Sequence, residues 1–335
     1  MTVILAEVAP RAEHTVPFCL FWIDMILAGL AIGIFAALGI GILRKRRVRR
    51  INSNSFPDPS GSLESTPCVE ARDHVRAGFR GSVAISDLSA PAVVRESWPD
   101  VGVDAVLAAM IWYLLGAIGA SQFAAWLGHP PESSEAMTWV SLLSQGIGAA
   151  ACAMLLASRT RGGFAGAFAH RPTETGDRAA RLAIALTIAG IGACPLLAEI
   201  TLHGLTALFP DREFAPHPTI TAIDAGTSSP SVIAGMWVSA VLAAPLAEEL
   251  FFRGLVQNAL SRVGWSTRAS IVGAAVSFGL VHMNQPHAVP ALVALGVLFG
   301  VAYQRSGMLL VPFLMHAVFN LKTMLWVTLG AGTDG

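Results

Sequence analysis

The sequence predicts an all-α, polytopic transmembrane helix bundle of about eight spans. Three observations carry this. Of 335 residues, 54% are hydrophobic and only 13% charged, with mean hydropathy +0.60, whereas a soluble domain spends about a quarter of its residues on charge. Several apolar runs exceed the roughly 18 residues that mark a membrane-crossing helix. The basic residues gather at the ends of those runs, where the positive-inside rule puts them on the cytoplasmic face. The net charge of zero leaves no global basic field of the kind that marks a nucleic-acid partner.

The first run covers 18–43 and is interrupted by Asp24. It ends in Arg44-Lys45-Arg46-Arg47-Val48-Arg49-Arg50, six basic residues in seven, which fixes that end inside and the N-terminus outside. The run is too long for a signal-peptide core, and residues 1–16 hold one Arg against two Glu, so it reads as a retained helix. Residues 51–100 change to Ser, Pro, Asp, Glu and Arg without sustained periodicity. They read as a polar cytoplasmic linker carrying at most a short interfacial helix near 68–80.

Two further spans are expected at 101–128 and 138–158, joined by a turn at His129-Pro130-Pro131-Glu132. Arg159, Arg161, Arg171, Arg178 and Arg181 then mark an inner loop, and a span over 182–209 contains Pro195, a kink-forming residue. Residues 210–230, acidic, Pro-rich and nearly free of Lys or Arg, read as an outer loop. The last four spans are expected from Ser231, ending between Glu249 and Arg262, and at 268–283, 288–304 and 307–330. Arg262, Arg268 and Arg305 fall on inner ends, so the charge pattern agrees with N-out, C-out topology at every loop. The chain thus divides into a helix with a basic flank (1–50), the linker (51–100), the N-terminal bundle helices (101–230) and the C-terminal helices (231–330). Its four cysteines, Cys19, Cys68, Cys152 and Cys194, form no CxxC pair, which argues against a disulfide framework or a cysteine zinc site.

Ionisable groups in bilayer hydrocarbon cost several kcal/mol, so they mark function. The last four runs hold three groups of them, each spaced by four residues. In Ala247-Glu248-Glu249-Leu250-Phe251-Phe252-Arg253-Gly254, Glu249 and Arg253 share a helical face and can pair. Glu248 is about 100° away around the helix and lacks that partner. Either it is a general base in a dry site, or 248–253 is a helix end whose acids face water. Phe278-Gly279-Leu280-Val281-His282 and His316-Ala317-Val318-Phe319-Asn320 are the other two, and taken singly each is an ordinary packing or interhelical hydrogen-bonding group. Together, one Glu, two His and one Asn from three helices provide a base and several donors, the inventory for water attack on an amide carbonyl. No Ser or Cys beside a matched base indicates a covalent nucleophile.

In order and spacing, EExxxR, FxxxH and HxxxN resemble the three signature motifs of the CAAX-protease and bacteriocin-processing (CPBP) family, which includes the type II CAAX prenyl proteases. Gly296-Val297-Leu298-Phe299-Gly300-Val301-Ala302-Tyr303-Gln304-Arg305-Ser306-Gly307 is similar to the glycine-rich helix and turn before its last motif, and Pro245 fits as well. The resemblance covers roughly 235–325. It implies that Glu248 activates the hydrolytic water with help from His282. It further implies that Glu249 and Arg253 support the site, that His316 and Asn320 form an oxyanion hole, and that Phe278 packs beneath the histidine. The first helix and the linker are not part of the family pattern.

Glu248, His282 and His316 could also ligate zinc. Asn320 is a poor zinc ligand but a natural oxyanion donor, and no HExxH is present, so a metal-free site with no cofactor is the expectation. A further condition follows from helix geometry. Were the fifth run to end near Glu249, that residue would sit at the inner surface while His282 lay more than about 20 Å deep at 1.5 Å per residue. The site assembles only if one long helix continues to Arg262, or if the helix bearing His282 begins in the cytosol.

The resulting reading is a multi-pass membrane endopeptidase, in the plasma membrane of a bacterium. Membrane lipid and a protein or peptide substrate, lipidated or not, would be its partners. Two other readings stand beside it: a non-proteolytic immunity or scaffold protein whose motif residues brace helices, and a proton-coupled transporter. The transporter would be expected to carry an internal repeat, and none is found between 101–209 and 231–330.

Overall fold

The protein is described here by a computed structural model, in which residues 99–160, 162–168, 176–214, 217–224, 226 and 228–331 are described. The expected first helix, its basic flank, the linker, Cys19, Cys68, Arg161 and Arg171 lie outside them. Among the described residues there are helices and turns and no strand. In chain order the helices are α1 (Val103–Trp126), α2 (Ser134–Arg159), α3 (Gly163–Phe168), α4 (Gly176–Leu208), α5 (Pro218–Asp224), α6 (Pro230–Arg262), α7 (Thr267–Leu280), α8 (Val289–Ser306) and α9 (Leu310–Ala331).

Six of them, α1, α2, α4, α6, α8 and α9, are long and apolar enough to cross a membrane. The chain is an all-α, multi-pass membrane protein. Their outward faces carry large apolar side chains, among them Leu114, Trp126 and Ile200, as a lipid-facing surface requires. Local signals set the helix ends. Ser133, Ser229 and Ser266 each accept a hydrogen bond from the backbone N–H three residues on, capping α2, α6 and α7, at about 1 kcal/mol apiece. Gly307 closes α8 at φ 68°, a left-handed conformation that glycine adopts without steric cost.

Residue pairings define how the helices run. On α6 and α2, Ser239 meets Ser141 at 2.5 Å and the Gly254 backbone sits against Leu156, so these two helices are parallel. On α8, the Gly296 and Gly300 carbonyls face Arg253 and Gln257 of α6, again in parallel. On α9, His316 faces Glu249 while Asn320 reaches back to Ala240, so α9 is antiparallel to α6. Asp100, Asp104, Arg159 and Arg262 meet at one end of the bundle: Arg159 holds Asp104 at 2.6 Å and Arg262 pairs with Asp100. Arg159 and Arg262, two of the basic ends assigned to one face by sequence, therefore lie at the same end of the bundle.

Two segments are more detailed than the expectation. The span expected at 268–283 is a helix of 14 residues, Thr267–Leu280, about 21 Å long and short of the roughly 30 Å hydrocarbon core. The chain turns at 281–288 and returns as α8. The loop expected at 210–230 contains the short helix α5, whose Ala222 and Ile223 pack with Val232, Met236, Met324 and Val327.

The long helix required by the geometric condition is present. α6 runs for 33 residues, about 50 Å. Glu248 precedes Arg262 by 14 residues, about 21 Å of helix, and Leu280, two residues before His282, follows Thr267 by 13, about 20 Å.

Candidate active site

Two π-helical stretches interrupt α6, at Ser239–Ala243 and Leu250–Val256, on either side of Glu248 and Glu249. Widening the turn changes which N–H meets which carbonyl. The Ala244 N–H reaches back to the Ser239 carbonyl, and the next residue, Pro245, has no N–H to give. The Ala240 carbonyl is thereby left without a helical donor, and the Asn320 side-chain amide supplies one at 2.8 Å. In the second stretch the Asn258 amide donates to the Arg253 and Gly254 carbonyls at 3.0 and 2.8 Å and to the Tyr303 hydroxyl at 3.0 Å. Buried backbone acceptors must find partners, and two asparagines provide them.

Arg253 is fully buried. Its guanidinium donates to Glu249 Oε1 at 3.0 Å and to the Gly296 carbonyl at 3.1 Å. It lies between the rings of Phe278 and Phe299, 4.9 and 5.2 Å from their centroids, contacts that strengthen once water is excluded. Gly296 permits this approach: a Cβ there would stand 3.0 Å from Ala275 and 3.3 Å from Arg253 Nη2. His316 Nδ1 is 2.9 Å from the same Glu249 oxygen. As a carboxylate only accepts, Nδ1 carries the proton and Nε2 points elsewhere.

Nε2 of His316 is 3.8 Å from Glu248 Oε2. The Glu248 side chain is 17% exposed, against 1% for Glu249. Glu248 opens onto a cavity of about 490 Å³ that His282, His316, Asn320 and Phe278 also line. His282 donates from Nδ1 to the Phe278 carbonyl at 2.8 Å, which leaves its Nε2 lone pair as the free acceptor. The Phe278 ring is 5.2 Å from His282 and 5.8 Å from His316, edge to face in both cases. The seven residues singled out by sequence thus occur at one place. Glu248, His282, His316 and Asn320 are on the cavity wall, and Glu249 and Arg253 lie behind it, with Phe278 between.

The convergence of His316 and Asn320 on one point has a qualification. Each already spends one donor inside the protein, on Glu249 and on the Ala240 carbonyl. What remains for a cavity occupant is His316 Nε2 and the second N–H of Asn320. Among the described residues, no group of three His, Cys, Asp or Glu side chains that could hold a metal ion is present.

Sequence reasoning missed part of the wall. Glu199 of α4, 6% exposed, lines the same cavity, as do Gln145 of α2, His217 beside α5 and the buried His287 of the 281–288 turn. Glu199 was open to the same inference as Glu248, being an acid inside an apolar run. Asn258 had no signal, because its role depends on a π-turn that no local pattern announces. Cys152 and Cys194 are free and buried, as small apolar filler.

Residues 230–322 match the family model of the type II CAAX prenyl endopeptidases, Rce1-like. No curated protein and no solved structure matches the chain.

Proposed function

We propose, from the match of residues 230–322 to the family model of the Rce1-like type II CAAX prenyl endopeptidases, an intramembrane endopeptidase that hydrolyses a peptide bond with glutamate-activated water. The carrying observation is the split between two adjacent acids. Glu249 is neutralised by Arg253 and His316, while Glu248 opens onto the cavity beside two imidazoles and an amide. A carboxylate free of a tight cation pair, within reach of a water, is what a general base requires.

In the proposed reaction a water sits between Glu248 and the His282 Nε2 lone pair. Glu248 takes one water proton as the oxygen bonds to the amide carbon. The carbonyl oxygen becomes an oxyanion, stabilised by the free Asn320 N–H and by His316 Nε2 when that ring carries both protons. Collapse restores the carbonyl and breaks the C–N bond, and the proton on Glu248 passes to the leaving amine. Phe278, Phe299 and Arg253 hold the rings and Glu249 in place. This scheme uses no metal. The cavity wall is mostly apolar, which suits the tail of a membrane-associated or lipidated protein. The orientation proposed is N-out, in a bacterial plasma membrane.

The test uses full-length protein in lipid nanodiscs with peptide tails, prenylated and unmodified. Wild type is expected to cleave, His282→Ala to lose at least about 10²-fold in rate, and a chelator to have no effect. If His282→Ala cleaves at the wild-type rate, the catalytic scheme fails. If a chelator abolishes cleavage and zinc restores it, the metal-free scheme fails. If no peptide is cleaved, a bracing, non-proteolytic role for the motif residues gains the ground.

A further inference from the structure

Glu199 lies on α4, outside the segment matched by the family, and the hydrolytic scheme does not use it. Its side chain is 8% exposed and lines the cavity that holds Glu248. Among the described residues its Oε2 has no hydrogen-bond partner. The nearest cationic candidate, His203 Nδ1, stands 4.0 Å away and already makes a 2.9 Å hydrogen bond with the Glu199 backbone carbonyl. His203 itself is 66% exposed, facing away from the enclosed space. Four imidazoles share the cavity wall, those of His217, His282, His287 and His316, and none hydrogen-bonds to Glu199. Among the described residues, the lining contains no Lys and no Arg.

The contrast with Glu249 is direct. There the fold provides an arginine and a histidine for one carboxylate. For Glu199 the described residues provide an open cavity and one histidine at 4.0 Å. A carboxylate enclosed by apolar groups costs several kcal/mol unless a donor or a cation meets it, and among the described residues none donates a hydrogen bond to Glu199 Oε2, so an occupant of the cavity can supply one.

Resting on the endopeptidase reading, we propose that Glu199 is a specificity-determining residue: it receives a basic side chain, lysine or arginine, of the peptide whose scissile bond lies at Glu248. Both carboxylates line one cavity, so a single bound segment contacts both. The substrate class is then a peptide with a cationic residue near the cleavage point, not a purely apolar tail.

The test compares peptides with lysine or its neutral isostere norleucine at each position in turn. Cleavage is read with full-length protein in nanodiscs. Binding is read separately in a Glu248→Gln background, where turnover does not intervene. At one position, lysine is expected to be favoured over norleucine by roughly 10–100-fold, the size of a hydrogen bond to a charged group. Glu199→Gln, which keeps shape and removes charge, should bring that ratio to about 1. Glu199→Asp, which keeps the charge, should retain part of it. Unfolding curves of both variants in detergent identify any loss of fold. The inference is overturned if no position favours lysine in the wild type, or if Glu199→Gln keeps the preference. If lysine-selective binding is present and lost in Glu199→Gln while no peptide is cleaved, the specificity site stands and the endopeptidase reading falls.

Discussion

Glu248 and Glu249 are neighbours in sequence and opposites in environment. Behind Glu249 the bundle is closed: Arg253 is fully buried, stacked between Phe278 and Phe299, and His316 completes the pairing. In front of Glu248 it opens into the 490 Å³ cavity. A rotation of about 100° per residue along one helix is enough to separate the two. One acid is enclosed by partners from other helices, and the other faces the cavity, where the proposed scheme gives it the chemistry. A motif of two glutamates is therefore not redundant, and each should fail differently when altered.

The sharpest way to break the comparison is to alter each acid in turn. Glu248→Gln is expected to lower the rate of peptide hydrolysis about 10²–10⁴-fold, with the detergent unfolding curve unmoved. Glu249→Ala should do the reverse in kind. It strands a buried guanidinium, at a cost of about 3–5 kcal/mol, read as a shift of that same curve. Its activity loss should follow the loss of folded protein.

Asn320 tests the border between the two regions, because it touches both. Asn320→Ala removes the proposed oxyanion donor and orphans the Ala240 carbonyl. A fall in kcat of about 10²–10³-fold is expected, as for other oxyanion donors, accompanied by measurable destabilisation. The smallest effect is expected at Gly296. Gly296→Ala places a methyl 3.0 Å from Ala275 and 3.3 Å from Arg253, at about 1–3 kcal/mol. Unfolding experiments should register it, and the lysine preference attributed to Glu199 should survive.

Much of this was legible in the sequence because membrane folding leaves strong marks. Long apolar runs located α1, α2, α4, α6, α8 and α9 within a few residues. The demand that Glu248 and His282 meet required a helix continuing to Arg262, which α6 does. The failures share a cause. α7 was expected to span because its run, counted through His282, is nearly long enough; the chain leaves the helix at Leu280 and turns on local backbone hydrogen bonds, Met283 N–H to the Leu280 carbonyl and Gln285 N–H to that of His282 among them. The π-turns of α6 and the asparagines that answer them depend on tertiary partners far away in sequence: Asn320 is 80 residues from Ala240. Glu199 was legible and overlooked, since attention to the last four runs hid an acid in the fourth.

The most direct measurement is a paired one on Glu248→Gln in nanodiscs: the rate of peptide cleavage and the unfolding midpoint from the same preparation. Loss of cleavage by at least about 10²-fold at an unchanged midpoint is the predicted result. Cleavage at the wild-type rate, or a loss that merely tracks unfolding, would contradict the division of labour between the two glutamates.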